Sequence, residues 1–545
     1  MLGVTPDFAP RLGRDGNGPY RLLRAFGDGL VQRLLTSLHD PRAAQERRLQ
    51  AILAQSKGTR FAKVNGLESV RTLADFRAAV PVRTYGELAD WFDAVSAGER
   101  RVLTSDRVTQ LLETSGTTGR PKHLPVTAPW AKVVSEAQQL WVMAMVRDHE
   151  AASRGKALTL VSPAAHHVSP GGLSIGSNTG RMHLAQPWWV RLRYPVPYPV
   201  FCLTDSNIRL YTILRFALQS DISTLTTANP STVLLLCRSL LAWQEELAGD
   251  MRDGTLRRGP AASLDAAVRR KLERKLKRAT PPTDWRPGKI WPLAVVNCWK
   301  GGPARYFVQR LPEALGADVP IREVGVTASE GYFAIPLGDD WPGGVLWTEG
   351  HLLEFIDDAG GVRWSWELEV GAQYRMIIST TAGLYRYDLQ DVIEVVGFCE
   401  NTPVIRFVSK AGRFLNALGE KVSEEQVSLA IRDAAVQLKV APVGFTVRLI
   451  MGDIPRFALA VEGVVDVSAL AEAFDTHLRR HNIEYDGKRG SARLDPPTAT
   501  TLPPGTYLRF RQHRVSAGAP EGQVKDPIVA MSAEEWARIE AAAKA

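Results

Sequence analysis

Cysteine is scarce in this chain. Its four thiols, Cys202, Cys237, Cys298 and Cys399, lie far apart with no CxxC pair. That excludes a disulfide-stapled scaffold and a cysteine zinc site, and it fits a reducing, cytoplasmic compartment. Long apolar runs are missing too: the most apolar stretch, STVLLLCRSLLAW at 231–243, is too short to cross a bilayer and contains Arg238. The opening residues, MLGVTPDFAPRLGRDG, show no basic segment followed by an apolar one, so no secretory leader is expected. There is no internal repeat and no low-complexity tract. Two glycine fingerprints of nucleotide binding, GxGxxG and GxxxxGK followed by Ser or Thr, are also absent.

Charge imbalance is modest, at +9 over 545 residues, which favours anionic ligands in general without naming one. The densest basic run, AAVRRKLERKLKRA at 266–279, has Val268, Leu272 and Leu276 every four residues. It reads as a solvated helix with a narrow apolar stripe. Without interleaved aromatics to stack on bases it predicts neither a nucleic-acid nor a membrane partner. A monomer is expected.

What is present is a large apolar fraction, 45%, in a chain long enough for two or three domains. Residues 1–100 read as mainly helical, with amphipathic pieces such as PYRLLRAFGDGLVQRLLTSL and TLADFRAAV. From about 105 the texture becomes short strand-like runs alternating with helices: RVTQLLE (107–113), ALTLVSP (157–163), DISTLTTANPSTVLLLCRSLLAWQEEL, KIWPLAVVNCW (289–299) and YDLQDVIEVVGF (387–398). That alternation predicts an α/β fold with substantial parallel pairing. After FVSKAGR (407–413) it changes again. Ser423, with Gln426 three residues on, opens a helix, and two strands, VGFTVRLI and RFALAVEG, and a further helix follow. The boundary is placed at Ser409–Lys410, giving domains 1–409 and 410–545.

The chemistry begins at TSGTTGRPK. Ser115, Thr117 and Thr118 carry hydroxyl donors, and Gly116 and Gly119 permit left-handed backbone. Successive N–H groups in such a turn converge on an anion, and Lys122 adds a mobile cation. The combination points to polyphosphate without naming a reaction.

With VTASEGYFAIP (326–336), GLYRYDLQDVIEVVGF (383–398), NALGEKVSEEQV (416–427) and PGTYLRFRQHRVSAGAPEGQVKDPIV (504–529), this loop resembles the acyl acid amido synthetases. These are the Gretchen Hagen auxin-responsive family of adenylate-forming enzymes. The resemblance runs from about residue 100 to the C-terminus. It implies a large N-terminal domain of β-sheets flanked by helices and a smaller, mobile C-terminal α+β domain. It also implies use of ATP and Mg²⁺ to turn a small carboxylic acid into an acyl-AMP, whose acyl group then passes to an amine such as an amino acid.

Residue by residue, the resemblance gives Ser115, Gly116, Thr117, Thr118, Gly119 and Lys122 to the phosphates. Glu330 becomes the Mg²⁺ ligand and a catalytic group, and Thr327, Ala328 and Ser329 line the adenine and α-phosphate side. The aromatic expected to stack on adenine is replaced by Val326, with Tyr332 as the substitute. Asp391 is the ribose carboxylate, with Asp388 its rival, and Lys421 is the lysine that the second domain brings to the phosphates. Arg386 is expected to orient its loop, and Lys410 has no catalytic role. The base for the second step stays open among His123, His166 and His167. Trp188, Trp189, Arg191 and Tyr198 are candidates for an acyl pocket. Two alternatives share the fold: transfer of the acyl group to coenzyme A or a carrier thiol, and a silent acyl- or nucleotide-binding module.

Overall fold

Several early helices begin at a residue that supplies what a helix end lacks. The computed structural model describes residues 8–114, 122–412, 414–464, 466–516 and 526–544. The long amphipathic piece near the N-terminus forms two helices, Gly18–Phe26 and Asp28–His39, meeting at Gly27. Asn17 caps the first by accepting from Tyr20 N–H at 2.9 Å. Thr72 and Asp75 close a reciprocal capping box on Leu73–Ala79.

Three sheets follow. Strands Lys156–Thr159, Ile222–Thr226, Val295–Cys298 and Ile321–Glu323 pair in parallel in that order. Their side chains are mostly buried, as a sheet covered on both faces requires. Helix Pro230–Ala242 follows one of these strands, capped by Asn229 with Pro230 in its first turn. A second sheet has the order Lys122–Val126, Gln110–Thr114, Ser174–Gly176, His167–Val168.

The parallel sheet meets the expectation of substantial parallel pairing, and the largest sheet adds an antiparallel part. Its eight strands are antiparallel throughout. They run Val362–Trp364, Leu352–Ile356, Gln373–Ser379, Tyr387–Cys399, Thr402–Lys410, Gly344–Leu346, Gly331–Ile335 and Val326–Ala328. Several neighbours are joined by turns of a few residues, which permit only antiparallel pairing. Successive residues of this sheet serve two cores, Phe333 one and Tyr332 the other. The basic run is a shorter helix than expected, Ala266–Glu273, and of its stripe Val268 is exposed while Leu272 is buried.

Contacts divide the chain into two compact units, the second made of the residues from Gly412 onward together with Thr114 and Lys122. In the second, Ser423 and Gln426 form the expected capping box on helix Glu424–Leu438. Strands Gly444–Ile450 and Arg456–Glu462 pair antiparallel, Val529–Ala530 and Thr498–Leu502 add in parallel at their outer edges, and helix Val467–His481 follows the hairpin. Among the described residues no helix is long and apolar enough to cross a membrane.

Candidate active site

Ser115, Gly116, Thr117, Thr118 and Gly119 lie outside the described residues, but both flanks of their loop are defined. Strand Gln110–Thr114 leads in, anchored by the buried Leu111 and Leu112, and Lys122 opens the strand that leads out. Glu113, its side chain only 8% exposed, accepts from His167 Nε2 at 2.7 Å and lies 3.8 Å from His123 Nε2. The imidazole of His123, then that of His167, hold this carboxyl below its ordinary range although burial opposes them. The backbone N–H of His123 donates to Tyr85 Oη at 2.9 Å.

The TASEG segment is the tip of a hairpin. Thr327 pairs with Tyr332 and Ala328 with Gly331, which leaves Ser329 and Glu330 in the turn. Thr327, Ala328 and Ser329 are half-buried and Glu330 is buried. Trp130 Nε1 donates to the Glu330 carbonyl at 2.9 Å and fixes the turn, while Tyr387 Oη donates to Oε1 at 3.4 Å. Tyr387 is fully buried; burial first, and then the charges of Glu330, Tyr85 and Asp391, push its phenol well up. One neutral phenol thus lies in the field of both candidate carboxylates. Sequence reasoning passed over Tyr387, although it sits in the same YRYDLQD segment as Asp391.

Gly331 cannot carry a side chain, because a Cβ there would lie 2.4 Å from His351 Nε2. His351 is itself buried, neither ring nitrogen has a partner among the described residues, and burial pushes its pKa down to about 3. Tyr332 does not substitute for the adenine-stacking aromatic. Its ring packs in the core and its hydroxyl donates to the Val324 carbonyl, so no face is free for a base.

Asp391 and Asp388 separate by their partners. Asp391 is buried with Oδ1 2.6 Å from Lys410 Nζ, directly opposite on the neighbouring strand. Lys410 also donates to the Leu389 carbonyl at 2.6 Å. Asp388 accepts from Gln390 N–H at 2.9 Å and lies 3.3 Å from Arg375 Nε, and burial raises its carboxyl. Arg386 holds its loop as expected. With φ at +46°, it donates from Nε and Nη2 to Glu354 at 2.9 and 3.1 Å, and from Nη1 to the Arg77 and Val80 carbonyls.

In the second unit Lys421 follows a turn pinned from inside. The buried Glu420 carboxylate accepts from Ala417 and Leu418 N–H at 2.8 and 2.7 Å. Lys421 has a left-handed φ of +48° and is half-buried. With Lys488, the stronger influence, it holds Glu484 below the ordinary carboxylate range.

Family models match this architecture along most of the chain. The GH3 family N-terminal domain matches residues 30–321, the central domain 345–410 and the C-terminal domain 425–534. The chain belongs to the GH3 family. Among its relatives, an indole-3-acetic acid-amido synthetase of Oryza sativa subsp. indica is 26% identical over 538 residues, covering 89% of this chain and 87% of the relative. A jasmonoyl-L-amino acid synthetase of Nicotiana attenuata is 23% identical, covering 89% and 90%. Of the solved structures, the GH3.15 acyl acid amido synthetase superposes with a TM-score of 0.65 at 20% identity, covering 98% of this chain and 97% of that one. A 2-hydroxyisobutyryl-CoA ligase with its acyl-AMP and coenzyme A gives 0.52 at 15% identity, covering 90% and 89%. These likenesses establish the fold.

On the acyl side, this GH3 chain departs from the sequence expectation. Trp188 and Trp189 are 69% and 55% exposed, and Arg191 is exposed as well. They occupy a single helical turn, Trp188–Arg191, that follows Pro187 and is exposed, so among the described residues they line no enclosed slot. Tyr198 is half-buried; its hydroxyl accepts from Ala164 N–H at 2.6 Å and its ring lies beside His183. Trp130, by contrast, is buried, with the Arg181 guanidinium over its ring at 5.3 Å.

Proposed function

We propose that this protein is an ATP- and Mg²⁺-dependent acyl acid amido synthetase. It activates a small carboxylic acid as an acyl-AMP with release of pyrophosphate, then transfers the acyl group to an amine, an amino acid being the acceptor its relatives' names suggest. The observation that carries the reading is the convergence of Glu330, which lies between the matched N-terminal and central domains, with Tyr387 and Asp391 of the central domain.

The residues fit the groups they would hold. Glu330 presents a buried carboxylate whose one described side-chain partner is a long hydrogen bond from a neutral phenol, so hard oxygen lone pairs remain for Mg²⁺. That ion would supply charge neutralisation to the phosphates. Asp391, paired with Lys410, would accept the ribose hydroxyl protons. The hydroxyls and N–H groups of 115–119, with Lys122, would bind phosphate oxygens. Thr327, Ala328 and Ser329 would border the adenine and α-phosphate, and Lys421 would add positive charge as pyrophosphate departs. The unit beginning near residue 410 would carry Lys421 by rotating between the two half-reactions.

The test is acid-dependent release of pyrophosphate, screened over aromatic and aliphatic acids, followed by addition of amino acids or coenzyme A and mass analysis of the product. Release with amide formation is the expected result. A thioester would move the protein to the coenzyme A ligases. Failure of every acid, with no ATP binding, would leave only the silent module.

A further inference from the structure

We propose that His167, held by Glu113, is the base that takes the proton from the acceptor's ammonium group in the amide-forming step; this rests on the amido synthetase reading above. Three strands bring the groups together. Glu113 ends a central strand of its sheet, His123 stands on the neighbouring strand, and His167 on the edge strand beyond Ser174–Gly176. Leu111, Ile175 and His167 share one register line across those strands, which puts the Glu113 end of its strand beside the imidazole.

Exposure assigns the roles. The Glu113 carboxylate is 8% exposed and cannot meet an incoming amine, whereas the His167 side chain is 54% exposed. The 2.7 Å bond engages Nε2 and directs Nδ1 away from the carboxylate. His123 is the less suitable base, being 27% exposed with its backbone fixed by Tyr85. Among the described residues, the titratable groups beside the pair are His123 and Tyr85 from the other side, with His166 adjacent in the chain, its ring centroid 6.1 Å from that of His167. All of this lies at the flanks of the segment assigned to the phosphates, and in acyl-AMP the reacting carbonyl is one ester oxygen from phosphorus.

The step balances without another reagent. An amino acid at neutral pH carries an ammonium group, which has no lone pair for attack. His167 Nδ1 accepts one N–H proton and becomes imidazolium, stabilised by the Glu113 carboxylate. The freed lone pair forms the N–C bond, the C–O bond to phosphate breaks, and AMP leaves with that electron pair. The second N–H proton goes to water, and His167 returns its own proton to solvent.

The experiment compares two nucleophiles in His167→Gln and Glu113→Gln proteins. One is an amino acid that supports amide formation, which needs the base. The other is hydroxylamine, already unprotonated at neutral pH, which traps the acyl-AMP as a hydroxamate without it. His167→Gln is expected to lower the amino-acid rate about a hundredfold. The ratio of amide to hydroxamate rates should fall at least tenfold, the deficit should narrow as pH rises towards the acceptor's own ammonium range, and Glu113→Gln should do the same to a smaller extent. An unchanged ratio overturns the proposal, whether both rates hold or both fall together, since the latter marks a structural role at the phosphate loop. Hydroxamate formation reports that each variant is folded and makes acyl-AMP. If the unaltered protein makes neither product with any acid, the amido synthetase reading itself fails.

Discussion

Glu354 holds Arg386, in the loop that leads into the strand carrying Asp391, and replacing it with Gln tests how that loop is held. Its carboxylate is 1% exposed and accepts three N–H bonds, from Arg77 Nε at 2.8 Å and from Arg386 Nε and Nη2 at 2.9 and 3.1 Å. Glu354→Gln keeps the volume but removes the negative charge and one acceptor oxygen, leaving the Arg386 guanidinium, 7% exposed, with neutral acceptors such as the Arg77 and Val80 carbonyls. Removing one member of a buried pair costs about 3–5 kcal/mol. Arg77 is 25% exposed and regains water, which places the loss near the lower limit, about 3 kcal/mol. Urea unfolding followed by the fluorescence of the 14 tryptophans measures the loss, and the KM for ATP reports the loop. Destabilisation with a raised KM is expected, and the double change Glu354→Met with Arg386→Met should recover most of the stability. A loss below about 1 kcal/mol in the single variant would refute the idea that this pair anchors the Asp391 loop.

Asp391→Asn should raise the KM for ATP by at least about tenfold, one charge-assisted hydrogen bond's worth, whereas Asp388→Asn should change it less than threefold; equal effects would remove the distinction drawn from Lys410. Tyr332→Phe should leave the KM for ATP unaltered and cost about 1 kcal/mol in urea unfolding through the lost bond to Val324, and a large KM change would restore a nucleotide role for this ring. Glu323 is buried, and burial pushes its carboxyl from 4.5 up to about 7. Its folded form therefore holds the proton more tightly than the unfolded chain, so its contribution to stability is full below about pH 4.5 and is lost as pH rises through about 7, on the order of 3 kcal/mol in all. Glu323→Gln should flatten the decline in urea midpoint between about pH 5 and 7.5, and parallel slopes would count against that burial. Lys421→Met should slow pyrophosphate release at least about a hundredfold while ATP still binds, and an unchanged rate would end its phosphate role.

Local chemistry was readable from the residues alone, and long-range placement was not. The Ser423–Gln426 box and the hairpin after it are decided within a few residues, so sequence pattern suffices. Tyr332 escaped because every residue of Gly331–Ile335 is buried, and such a strand offers no polar face from which to read direction. Trp188 and Trp189 misled because aromatic composition does not say whether a short helical turn faces in or out. Glu113 and His167 are 54 residues apart and meet only through strand order. Lys410 could have been matched to Asp391 had the two strands around Glu400 and Asn401 been recognised as one hairpin, which sets them face to face.

The contact between Gly331 and His351 bears on how this site can change over generations. Any side chain at 331 collides with a ring that has nowhere to move, since His351 is enclosed. The imidazole has no partner among the described residues to lose, so a smaller residue at 351 forfeits packing alone. The order of replacement is therefore constrained: position 351 must shrink before position 331 can grow. A lineage that has kept the histidine has closed to mutation the residue beside its metal-binding candidate, and divergence in this turn must begin twenty residues downstream of it.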